Sequence, residues 1–325
     1  MTATDEAGLK AAKKARKEER RKQRQQLTPE ERRKRRGELT PEQIKKRAFR
    51  KQRNAERQAL PRADEHAGFK AGFLVAGVQK GGTSTLHAYL EQHRQIGLGG
   101  SKELHFFDDE TLDWDAPDYR RYHRSFPVYP EATISGECTP VYFFWPPSLE
   151  RIHAYSPDVR FIVVFRNPID RAFSQWAMAY ARREDTQLFD DAIRGGRQRV
   201  ADAGETGHSQ RVHSYVERGF YGAQMRRFLS LYPRAQILPL TSEELFKDHR
   251  SALAKVTEFL GVSPYPADLE AQHVNRKKKR VEYPSVLTRT DAALLADVYR
   301  DDLAEFQALS GLDVSAWLNT ERYPE

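Results

Sequence analysis

The stretch 73–85, Phe-Leu-Val-Ala-Gly-Val-Gln-Lys-Gly-Gly-Thr-Ser-Thr, constrains the fold more than any other part of this 325-residue chain. Residues 73–78 are almost all apolar, which suits a strand buried on both faces. Gly81 and Gly82 let the backbone approach a ligand closely. Thr83, Ser84 and Thr85 are cap-forming residues for a helix that runs to about residue 92. Strand, glycine turn and helix start together aim several N–H groups at one point, an arrangement that receives phosphate. Lys80 adds a mobile positive charge. A nucleoside-triphosphatase loop needs its lysine directly before the hydroxyl residue that binds Mg²⁺. Here Gly82 holds that place and Lys80 comes three residues before Thr83. The plainer alternative is a glycine-rich turn with an exposed lysine.

Downstream, apolar runs alternate with amphipathic stretches. Strands are expected at 134–136, 161–165 and 236–240. Helices are expected at 147–155, 168–183, 215–231, 251–260 and 288–309. Strands separated by helices imply an α/β fold, a central parallel sheet in a three-layer α/β/α arrangement, with ligands at the carboxyl ends of the strands. Residues 183–213 are poor in large apolar side chains and too long for an ordinary connection, so they read as a surface insertion near an acceptor site.

Charge separates a tail from this body. Residues 1–62 hold 22 Lys+Arg against 9 Asp+Glu, a net of +13, whereas the remaining residues carry 32 against 37, a net of −5. The boundary is set at residues 1–68 for the tail and 69–325 for the domain. Leu-Thr-Pro-Glu occurs at 27–30 and again at 39–42, each copy a short helix start, but neither segment has an apolar face to bury. The tail is therefore expected to be disordered or transiently helical. It is either a solvated extension or an arm for an anionic surface or polymer. The mildly acidic body gives no reason to expect nucleic acid as a partner. The single cysteine, Cys138, rules out an internal disulfide and fits a reducing, cytoplasmic setting. No apolar run is long enough to span a bilayer.

Three further motifs carry chemistry. Lys102-Glu-Leu-His-Phe-Phe-Asp108 sets ionisable groups around two aromatics, and in an extended segment Glu103 and His105 would face the same side. At the end of the 161–165 strand stands Arg166, with Pro168 starting the next helix and Ser174 eight residues beyond the arginine. An arginine there offers a planar charged fork to phosphate, unless an acidic neighbour such as Asp170 takes it. No acidic metal ligand follows that strand, which argues against a Mg²⁺-dependent triphosphatase. In Arg218-Gly-Phe-Tyr-Gly-Ala-Gln-Met, Arg218 and Tyr221 stand within reach of a nucleotide, although the apolar spacing is mostly that of core packing.

In this order and at these spacings the four motifs resemble the PAPS-dependent sulfotransferases (PAPS, 3′-phosphoadenosine-5′-phosphosulfate). The Lys-Glu-Leu-His-Phe-Phe-Asp element is most similar to the heparan sulfate N- and 3-O-sulfotransferase branch and its bacterial relatives. The resemblance covers about residues 70–310 and implies a P-loop-like α/β fold. It makes Lys80, Gly81, Gly82, Thr83, Ser84 and Thr85 the 5′-phosphosulfate loop, and Arg166 with Ser174 the holders of the 3′-phosphate. Glu103 becomes the catalytic base, with His105 and Asp108 beside it. The basic run Asn275-Arg276-Lys277-Lys278-Lys-Arg280 falls where the family closes a loop over the nucleotide. That branch often has lysine where this chain has Cys138, so its acceptor does not carry over directly.

The reaction implied is sulfuryl transfer from PAPS to a hydroxyl or amine, on a glycan or a small metabolite, with Lys80 stabilising the transferring group and no metal required. Two alternatives stand beside it. One is a P-loop kinase or phosphotransferase, and the other a catalytically silent sulfotransferase-like binding protein. The oligomeric state is left open.

Overall fold

The computed structural model describes residues 58–272 and 283–325, together with positions 44, 48, 55 and 56. The Leu-Thr-Pro-Glu repeats and the basic run containing Arg276, Lys277 and Lys278 lie outside the described residues. The chain divides into compact units at Ala59/Leu60. Residues 60–68, placed with the tail on composition, are bonded to the body. The Ala63 N–H donates to Phe126 O at 3.0 Å and the Val128 N–H to Pro61 O at 2.9 Å. Ala63 is fully buried, a small apolar anchor that composition does not reveal.

Five parallel strands form the sheet: β1 (Phe73–Gly77), β2 (Ile96–Leu98), β3 (Ile134–Cys138), β4 (Arg160–Phe165) and β5 (Ile237–Thr241), in the order β2-β3-β1-β4-β5. The apolar runs of β1 and β4 follow from burial on both faces. Leu74 and Ala76 of β1, with Phe161, Val163 and Phe165 of β4, enter one core. Phe73, Val75, Ile162 and Val164 enter the other.

The second core is closed by α1 (Thr83–Leu90), through Leu86 and Leu90, and by the helix His249–Leu260, through Leu253, Val256 and Leu260. The first is closed by the helices Ser148–Tyr155, Pro168–Arg182, Tyr221–Leu231 and Arg289–Ser310. This is the three-layer α/β/α arrangement expected. The long last helix starts at a capping box, Thr288 with Asp291.

Two expected elements change. The helix foreseen over 215–231 is broken: a 3₁₀ turn, Glu217–Gly219, precedes Tyr221–Leu231. A Cβ on Gly219 would press on the Tyr299 ring at 2.5 Å, so the turn packs against the last helix. The segment 183–213 holds three short helices, Phe189–Arg194, Gly196–Asp202 and His208–Val212. Their sparse apolar residues Phe189, Ile193 and Val200 are nonetheless buried. Among the described residues no helix is long and apolar enough to cross a membrane.

Candidate functional site

The loop after β1 is built by close backbone approach. The Val78 N–H donates to Val164 O at 3.0 Å and the Gly81 N–H to Val78 O at 2.9 Å. A Cβ on Gly81 would collide with the Val164 carbonyl, so the loop hugs β4 only with glycine there. Lys80 adopts φ 74° and Gly82 φ 115°, the left-handed region in which glycine is unstrained. Gly82 is the N-cap of α1 and no side chain caps the helix. This corrects the expected capping role of Thr83, Ser84 and Thr85. They are the first helical residues, and the helix start faces the loop without a protein oxygen from a capping side chain.

Positive charge gathers at this point. Lys80 is held below its ordinary proton affinity, first by burial and then by Arg166 and Arg182. Its Nζ lies 3.7 Å from Met178 Sδ, and its carbonyl accepts from Arg166 Nη1 at 3.3 Å. Asp170 is not the partner of Arg166. It accepts from Arg322 at 2.8 Å and from the Tyr323 hydroxyl at 3.1 Å. Asn167 caps the Pro168–Arg182 helix through its Oδ1, which accepts from the Ile169 N–H at 2.9 Å. Arg166 is thereby fixed between the strand end and the helix start, and Ser174 is half-buried two turns along.

Tyr221, expected at the nucleotide, is fully buried, and its hydroxyl donates to Arg166 O at 2.8 Å. It braces Arg166 from behind rather than lining the cleft. Arg218 is likewise buried. It donates to Gln79 Oε1 at 3.1 Å and lies over the Phe144 ring at 4.6 Å. Burial lowers its proton affinity to about 9.

The second half of the site is the segment 102–108. Glu103 and His105 do come together, with Glu103 Oε2 3.7 Å from His105 Nε2. They do so through a left-handed backbone at both residues, φ 63° and 53°, and not through strand alternation. His105 Nδ1 lies 2.9 Å from Asp108 Oδ2. Asp108 in turn accepts from Arg211 Nη1 at 2.5 Å, and Lys102 pairs with Glu103. The result is a chain of alternating charge, Lys102–Glu103–His105–Asp108–Arg211.

Its electrostatics follow. The hydrogen bond from His105, and then Lys102, draw the Glu103 carboxyl down to about 2. Asp108 and Glu103 lift the imidazole to about 9. Glu103 also counts among the charges acting on Lys80, so the carboxylate lies within electrostatic reach of the loop. Arg211 is the member that sequence reading missed. It sits in the polar 183–213 segment, where nothing in its neighbours marks it. Among the described residues no group of three or more His, Cys, Asp or Glu side chains is arranged to hold a metal ion.

A first expected result concerns His105. Its folded pKa lies above its ordinary 6.5, so its stabilising effect is complete below pH 6.5 and is lost as pH rises through about 9. Nitrogen-resolved NMR of the ring should show a midpoint near pH 9. A midpoint at the ordinary value would mean that the carboxylates do not flank it.

Residues 70–293 match the family described as the sulfotransferase domain. Over 199 residues the chain is 32% identical to heparan sulfate glucosamine 3-O-sulfotransferase 6 of Mus musculus, covering 60% of this chain and 53% of that protein. Over 279 residues it is 25% identical to the bifunctional heparan sulfate N-deacetylase/N-sulfotransferase 2 of Homo sapiens, covering 77% of this chain and 31% of that one. The crystal structure of a sulfotransferase from Alicyclobacillus acidocaldarius matches with TM-score 0.63 at 26% identity, over 77% of this chain and 100% of that chain. The chain spans about half the length of the first of these relatives.

Proposed function

Because this chain belongs to the sulfotransferase family, we propose that it transfers a sulfuryl group from PAPS to a hydroxyl or amine of a glycan. The observation that carries this reading is the pairing of an uncapped, lysine-bearing loop beside Arg166 with an ionised Glu103 within electrostatic reach of Lys80. The residues present fit a nucleotide phosphorylated at both 3′ and 5′ positions. Gly82 and the first residues of α1, Thr83 and Ser84, offer N–H groups to the 5′-phosphosulfate, and Lys80 offers its charge. Arg166, whose acidic neighbour is engaged elsewhere, and Ser174 are assigned to the 3′-phosphate.

Glu103 receives the proton of the attacking group. The acceptor–sulfur bond forms as the bond from sulfur to the 5′-phosphate oxygen breaks, and the electron pair leaves with adenosine 3′,5′-bisphosphate (PAP). Lys80 and the loop amides meet the charge on the sulfuryl and leaving oxygens, an electrostatic contribution of the oxyanion type. His105 is protonated below about pH 9 and therefore orients Glu103 rather than competing with it as base. The depressed pKa of Glu103 means that Lys102 or His105 must loosen its hold as the acceptor's proton arrives. A glycan acceptor is favoured by the names of the relatives above.

The test is incubation with radiolabelled PAPS and three acceptors: heparan sulfate, its de-N-sulfated form and a small sugar alcohol. Mass spectrometry should find a product heavier by one SO₃. Absence of transfer together with tight, Mg²⁺-dependent turnover of ATP would favour the phosphotransferase reading.

The basic tail is assigned to recruitment and not to chemistry, and the reading keeps a cytoplasmic setting on the strength of the lone buried cysteine. Deleting residues 1–59 should leave PAP affinity and melting temperature nearly unchanged. Any binding of the full chain to an anionic polymer should weaken with added salt. Loss of PAP binding on truncation, measured by calorimetry, would place the tail in the donor site.

A further inference from the structure

Glu137 takes no part in the chemistry above, yet it is 1% exposed and carries no cationic partner among the described residues. Its Oε1 accepts from the Tyr142 hydroxyl at 2.8 Å and from the Tyr122 hydroxyl at 3.3 Å. Its Oε2 accepts from the Thr139 hydroxyl at 2.5 Å. These three hydroxyl donors engage both oxygens of the carboxylate.

The donors reach further. Thr139 Oγ1 accepts from the His105 N–H at 3.5 Å. The Tyr142 hydroxyl oxygen accepts from the N–H of Phe106 at 3.0 Å and of Phe107 at 3.4 Å. Two residues before His105, the Glu103 N–H donates to Cys138 O at 3.0 Å. Four amides of the run 103–107 are thus received by the short segment 137–142, and three of them trace back to one carboxylate. Within that run stand the two left-handed residues Glu103 and His105. Side chains other than glycine rarely adopt this conformation, and it persists only where the surroundings over-determine it.

We propose that Glu137 is the positioning residue of the base: from beneath, its carboxylate fixes the backbone that aims Glu103 and His105 at each other. The chemical consequence rests on the sulfotransferase reading, while the geometric claim stands apart from it. Burial raises the Glu137 carboxyl to about 7, as expected for an acid held for its shape and not for pairing. The groups facing it are Tyr122, Tyr142 and Asp108. Those facing His105 are Glu103 and Asp108, backed by Lys102 and Arg211.

Glu137→Gln tests it in the full chain. An amide has fewer acceptor sites and turns two N–H donors toward hydroxyls that themselves donate, so the 103–107 backbone should relax. The His105 midpoint seen by NMR should then drop by about one unit or more, since each unit reports a changed balance of the charges around the ring. Turnover with PAPS on heparan sulfate should fall by about 10²-fold, the scale of an ångström of misplacement. PAP affinity should hold.

A folded Glu137→Gln protein with wild-type His105 titration and turnover would overturn the inference and leave Glu137 a core residue. Should that variant fail to fold, Tyr142→Phe removes only one hydroxyl and carries the same expectation and the same overturning result. A wild-type protein that fails to bind PAP would instead sink the sulfotransferase reading, and the His105 shift would still decide the role of Glu137.

Discussion

Glu103→Gln should lower kcat by about 10²–10⁴-fold, the usual contribution of a positioned general base. The substitution keeps the shape and the bond to the Cys138 carbonyl, because that bond is made by the Glu103 backbone N–H. What disappears is the proton acceptor, and with it one of the two carboxylates that hold the His105 imidazolium. PAP affinity should be almost unaffected, since Glu103 is assigned to the acceptor and not to the nucleotide. Steady-state kinetics alongside calorimetry with PAP separates the two effects. His105→Ala is the companion measurement. It frees Glu103 from its strongest pKa-lowering partner and should leave residual turnover. A dead His105→Ala enzyme beside a near-normal Glu103→Gln one would exchange the two roles.

Arg166→Ala should weaken PAP binding by about tenfold to a hundredfold, because a hydrogen bond to a charged group is worth about 1.5–3 kcal/mol and about 1.4 kcal/mol is a factor of ten. The chain should fold normally. The guanidinium makes one long hydrogen bond to the Lys80 carbonyl, and the brace from Tyr221 is to the Arg166 backbone, which alanine keeps. The sharper reading is a comparison of ligands. Adenosine 5′-diphosphate lacks the 3′-phosphate, so the wild type should prefer PAP to it and Arg166→Ala should lose most of that preference. Calorimetry giving an unchanged preference would remove Arg166 from the 3′-phosphate site.

The backbone around the Lys80 loop and Arg166 was legible because strong local rules act there. A strand buried on both faces must be apolar throughout, as 73–78 and 161–165 are. A loop that hugs its neighbour must have glycine at Gly81. An asparagine-proline pair at 167–168 announces a helix start. The segment 102–108 obeys longer-range rules. Glu103 and His105 meet because the segment 137–142 draws in the amides of 103–107, and no pattern of period two or 3.6 encodes that. Thr83 to Thr85 look like caps by composition, but Gly82 takes the N-cap position because the chain must turn left-handed there. Tyr221 is the instructive case. Its place in the sequence motif suggests a ligand contact, but its hydroxyl is spent on a backbone carbonyl. The sequence distinguishes a ligand-facing tyrosine from a bracing one only when its packing partners, here Phe165, Phe306 and Trp317, are known.

Arg211 carries a lesson for protein engineering. It belongs to the excursion 183–213, the kind of surface segment commonly exchanged between relatives to graft a new acceptor preference. Here that segment also supplies the guanidinium on Asp108 and, through the Arg211 carbonyl, a bond to the buried Arg218 that reaches Gln79 beside Lys80. A chimera with a foreign excursion would lose these ties. Its activity would then report a disordered Glu103–His105–Asp108 cluster as readily as any property of the graft. Keeping an arginine at the graft's end, in reach of Asp108, is the condition under which the excursion becomes exchangeable as a module.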